Sequence, residues 1–77
     1  MNHKWQITNN IRRFTKGNIS HENYLDASEL LCYQMKNDNL LVELIELNIK
    51  KFSSNKINRE KYLDGCEEIL FYYLNNN

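Results

Sequence analysis

Few residues in this chain are of types that do covalent, acid–base or metal chemistry. There are two histidines (His3 and His21), two cysteines (Cys32 and Cys66), and ten carboxylates balanced by ten Lys and Arg. Zinc sites use ligands at spacings such as His-x3-His or Cys-x2-Cys, and neither histidine has such a neighbour. Cys32 and Cys66 fall on or near apolar helix faces, where a thiol is a small hydrophobe far more often than a nucleophile. Paired carboxylates could exchange protons, but no glycine-rich loop or pocket-forming insertion would hold a substrate beside them. The pattern points to a protein that is not an enzyme and uses no cofactor and no metal.

The charge balance narrows the partners. Zero formal charge over 77 residues argues against nucleic acid, because neutralising phosphates supplies most of a nucleic-acid binder's affinity. No run of eighteen apolar residues exists, so no membrane span is expected. The segment Met1-Asn2-His3-Lys4-Trp5 lacks the apolar stretch of a signal peptide, so a cytoplasmic location and free thiols are expected. The length suits one domain, residues 1–77.

What must position these residues is an internal duplication. Shifting the chain by 38 residues without a gap places Ile11-Arg12-Arg13-Phe14 on Ile49-Lys50-Lys51-Phe52 and Tyr24-Leu25-Asp26 on Tyr62-Leu63-Asp64. Ile7, Asn10, Ile19, Glu22 and Glu29 also recur, as Ile45, Asn48, Ile57, Glu60 and Glu67. Repeat one covers about 5–39 and repeat two about 43–77. Each reads as helix, turn, helix. Ile7, Ile11 and Phe14 share one helical face, as do Ile45, Ile49 and Phe52. Gly17 and Asn55 fill one slot, and both tolerate the left-handed conformation that closes a helix. Ser20 and Asn58 are good N-caps. Ile19 with Tyr24, and Ile57 with Tyr62, form a hydrophobic staple around each cap. The second helices are expected near 20–37 and 58–75. The fold class is therefore all-α, a four-helix bundle of two tandem helix-turn-helix repeats.

The pattern Phe-x4-Ile-Ser/Asn-x3-Tyr stands here as Phe14, Ile19-Ser20, Tyr24 and again as Phe52, Ile57-Asn58, Tyr62. It resembles the opening helix–turn–helix of colicin-D-type immunity proteins, small helical proteins that neutralise a cytotoxic nuclease. The resemblance covers about 15 residues per copy and implies only the class, a small acidic-faced helical inhibitor, without a target or binding residues.

The differences between the copies point to candidate surfaces. The first helix of repeat one is polar outside its stripe, at Gln6, Thr8, Asn9 and Asn10, whereas Leu40 to Ile49 is apolar on nearly every side. Either that third helix is central to the bundle, or Leu40, Leu41, Leu44 and Leu47 face a second chain, as in a homodimer. Trp5, opposite Glu43 in the alignment, either folds over a bundle end or anchors a partner. Glu22, Asp26, Glu29 and Tyr33 recur as Glu60, Asp64, Glu67 and Phe71, an acidic row ending in a ring and placed opposite the core face. Such rows are either solvated or suited to a basic protein partner. Arg12-Arg13 and Lys50-Lys51 close helices, where the dipole favours cations. Three functions follow: a protein-binding inhibitor or regulator, a homo-oligomeric assembly protein, or a DNA-binding helix-turn-helix protein, the last disfavoured by charge.

Overall fold

The computed structural model describes residues 3–76, so residues 1, 2 and 77 at the ends of the expected domain lie outside it. Four helices follow in order: α1 (His3–Thr15), α2 (His21–Gln34), α3 (Val42–Ser53) and α4 (Arg59–Asn75), with no strand among the described residues. This is the all-α four-helix architecture that the duplication predicts.

The two turns are built alike. After α1, Gly17 takes a φ of 76°, its N–H donates to the Phe14 carbonyl, and Asn18 N–H donates to Arg13. After α3, Asn55 takes a φ of 63°, its N–H donates to Phe52, and Lys56 N–H donates to Lys51. Both are Schellman closures, which satisfy helix carbonyls that otherwise lack a donor. The Ser20 hydroxyl then accepts from Asn23 N–H at 3.1 Å, and the Asn58 side chain accepts from Lys61 N–H at 2.9 Å.

The second helix of repeat one stops at Gln34 rather than 37. Met35 and Lys36 donate to carbonyls three residues back, a tightened last turn. Met35 and Leu41 are then buried almost completely, so both ends of the connection are drawn into the core.

Within each repeat the helices pack as a hairpin, α1 on α2 and α3 on α4, and the two hairpins meet through α2 and α4. Matching residues do matching work. Phe14 stacks on Tyr24 and Phe52 on Tyr62, each pair with ring centroids 4.5 Å apart. Ile7 and Ile45 are both fully buried, and Cys32, Cys66 and Leu70 fill the seam between α2 and α4.

Candidate protein-binding surfaces

Asn10 and Asn48 set the geometry between the helices of each hairpin. Composition groups Asn10 with a polar outer face, but the structure buries it. Its Nδ2 donates to the Tyr24 carbonyl at 3.2 Å and to Ser28 Oγ at 3.3 Å. Asn48 Nδ2 donates to the Tyr62 carbonyl at 3.1 Å and to Cys66 Sγ at 3.6 Å. Ser28 and Cys66 occupy the same slot of the repeat. The recurrence of Asn at both positions is the sequence signal that separates this residue from Gln6 and Asn9.

The acidic rows divide among three environments. Glu29 and Glu67 do not lie opposite the core, as the helical spacing predicts, but are half-buried at the α2–α4 seam. Tyr24 donates to Glu67 Oε2 at 2.6 Å, and burial followed by that bond raises the Tyr24 phenol well above its ordinary 10.0. Tyr62 faces Glu29 across a small void in the reciprocal arrangement and is raised for the same reasons. Asp26 pairs with Arg59 across the seam at 3.5 Å, with Glu29 at 3.9 Å from the same guanidinium. Glu22 and Glu60 remain exposed and line a cleft of about 470 Å³ with His21, Leu25 and Leu63. This cleft places the N-terminal turns of α2 and α4 side by side.

Asp64, Tyr33 and Phe71 are exposed. The Lys36 ammonium covers the Tyr33 ring, 4.6 Å from its centroid, and donates to its hydroxyl. No group of three His, Cys, Asp or Glu side chains is placed to hold a metal ion among the described residues. Among those residues, no helix is long and apolar enough to cross a membrane.

Cys32 and Cys66 are free thiols, both buried in the seam. The neighbouring Cys66 sulfur and burial raise the Cys32 thiol well above its ordinary value.

The surface feature that the sequence leaves undivided is a pair of grooves, one on each hairpin. The α1–α2 groove, about 270 Å³, is lined by Gln6, Asn9, Asn10, Arg13, Ala27, Leu30, Leu31 and Gln34, with Trp5 at its rim. The α3–α4 groove, about 490 Å³, is lined by the corresponding residues of the second copy: Leu44, Leu47, Asn48, Lys51, Gly65, Glu68, Ile69 and Tyr72. The frame is shared and the lining has diverged. The first groove carries amides and an arginine beside Trp5 and Leu30, which are 65% and 58% exposed. In the second, Gln6, Asn9 and Gln34 become Leu44, Leu47 and Tyr72, all exposed. Leu40, in the connection before α3, is also exposed, whereas Leu41 is 0% exposed and belongs to the core, not to an oligomer surface. Leu30 and Tyr72 are not singled out by the sequence reading. The signal was available in the divergence of the second helices, at Ala27 and Gly65, Leu30 and Glu68, and Gln34 and Tyr72.

Fold and surfaces together define a duplicated helical hairpin with one groove on each half. No protein-family model, curated protein or solved structure matches the chain.

Proposed function

We propose that this chain is a small non-enzymatic protein-binding protein, an inhibitor or regulator, that engages its protein partner through the α1–α2 groove. The observation that carries this reading is the pairing of Trp5 and Leu30, the two most exposed large apolar side chains among the described residues, in one groove with Arg13. Trp and Arg are enriched at energetic hot spots, and exchangeable interfaces surround such anchors with polar groups, here Gln6, Asn9 and Gln34. The inhibitor class also draws on the hairpin's resemblance to immunity proteins. Glu22, Glu60 and Asp64 add exposed carboxylates that would steer a basic partner.

The test is capture from the source organism's lysate, identification by mass spectrometry, and reconstitution of the complex from purified components. A Trp5→Ala/Leu30→Ala variant is compared with the parent and with a Glu22→Ala/Glu60→Ala/Tyr33→Ala/Phe71→Ala variant. The reading expects the first variant to lose the partner by at least about a hundredfold in affinity. The second should mainly slow association. Equal affinity for the parent and the Trp5/Leu30 variant, with helicity retained, sinks the groove assignment.

A further inference from the structure

We propose that the α3–α4 groove is occupied by the α3 helix of a second copy of this chain, in an antiparallel, two-fold symmetric dimer. The proposal is independent of the partner assigned to the α1–α2 groove.

Three observations carry it. The first is composition. Leu44 and Leu47, three residues apart on α3, line the groove with Ile69 and Tyr72, and Leu40, in the connection before the helix, is exposed as well. Interfaces between identical chains are more apolar than exchangeable ones, and here Leu44, Leu47 and Tyr72 stand where the sister groove has Gln6, Asn9 and Gln34, with Asn48, Lys51 and Glu68 supplying the polar part of the lining.

The second is the order of charge along α3. Glu43 lies in its first turn and Lys50 and Lys51 in its last, with Leu44 and Leu47 between them. A helix with acid at its start and base at its end is complementary to itself when reversed. An antiparallel copy brings Glu43 beside Lys50 of its partner, twice by symmetry, while Leu44 and Leu47 meet their counterparts. The same reversal sets the two helix dipoles against each other favourably. A two-fold axis closes this contact, so it yields a dimer and not a filament.

The third is the sister helix, which acts as an internal control. α1 keeps the basic end, Arg12 and Arg13, but has no acidic residue in its first turn, and Gln6 and Asn9 stand where α3 has leucines. The shared fold therefore requires neither the leucines nor the acidic start. Both occur on one copy only, and self-pairing uses both. A net charge of zero adds no repulsion between copies.

The experiment is light scattering and sedimentation of the purified full chain alone, from about 1 μM to about 1 mM, with circular dichroism as the check on folding. The parent is expected at twice the chain mass in the upper part of that range. Leu47→Glu, at a half-exposed position, should keep its helicity and weaken the dimer at least about a hundredfold. Glu43→Lys or Lys50→Glu alone should weaken it about tenfold, because each creates two like-charge contacts. The double variant Glu43→Lys/Lys50→Glu should return to within about threefold of the parent, since the reversed pattern is again self-complementary. A monomer throughout overturns the proposal, as does a larger open assembly. Failure of the double variant to recover overturns the antiparallel register. Loss of the captured partner in the Trp5/Leu30 variant bears on the other groove alone.

Discussion

Tyr24 on α2 reaches across the seam between the two repeats and donates a 2.6 Å hydrogen bond to Glu67 on α4, while Glu29 of α2 faces Tyr62 of α4 in return. The reciprocal arrangement ties the halves together with the residues that the duplication conserves. It also withdraws two carboxylates from the surface that the acidic rows suggest.

The pH dependence follows from the raised phenols. In the unfolded chain a tyrosine ionises near its ordinary 10.0, but in the folded protein burial and the neighbouring carboxylate hold Tyr24 and Tyr62 protonated above that. Between those values the folded state binds more protons, so stability is fully present below about pH 10 and falls as pH rises above it. Each such tyrosine contributes up to about 1.4 kcal/mol of loss per pH unit. Chemical denaturation at a series of alkaline pH values should show this loss. Tyr24→Phe should reduce its slope while lowering stability at neutral pH.

Asn10→Ala removes the donor that joins α1 to the Tyr24 carbonyl and Ser28. The Tyr24 carbonyl keeps its 2.9 Å bond from Ser28 Oγ, so the loss is that of the amide's own hydrogen bonds, about 0.5–1.5 kcal/mol each, still a large share of the stability of so small a domain. Asn48→Ala should cost less, because one of its two partners is a thiol, a weak acceptor. Urea titration of both variants measures the difference, and equal losses would show that the Ser28 and Cys66 contacts are interchangeable.

Gly65 lies within α4, where alanine is ordinarily better by about 1 kcal/mol. A Cβ there would stand 2.5 Å from Asn48 Oδ1, whose side chain is held by its bond to the Tyr62 carbonyl. Gly65→Ala is therefore expected to leave the melting temperature unchanged or lower it. A clear rise would mean that Asn48 relaxes toward the geometry of Asn10, whose neighbour in the sister copy is already Ala27.

Cys32 and Cys66 are almost fully covered in the α2–α4 seam. Reaction with a thiol reagent should accordingly be slow in the folded protein and immediate in denaturant. The folded-state rate should follow global unfolding, since exposing either sulfur requires the seam to open. Fast reaction under native conditions would instead place the opening of the two hairpins well below the cost of unfolding.

The sequence by itself determined the four helices, the Gly17 and Asn55 closures, the Ser20 and Asn58 caps, and the division into two like hairpins. These are local signals, set by residues within a turn or two of one another, and the duplication states each of them twice. It also marked Trp5, Leu40, Leu44 and Leu47 as apolar where the sister copy is polar or where a surface would not need them. Only the tertiary structure decided which side of each helix is covered. Helical periodicity places Glu29 and Glu67 on an outer face, Asn10 among polar neighbours, and Leu41 in one row with Leu40 and Leu44. The packing of α2 against α4 turned the first two inward, the hairpin contact buried the third, and the connection after Met35 drew the fourth into the core. Those outcomes depend on how helices distant in sequence meet, which no spacing within a single helix carries, and the two unlike grooves are created by that meeting.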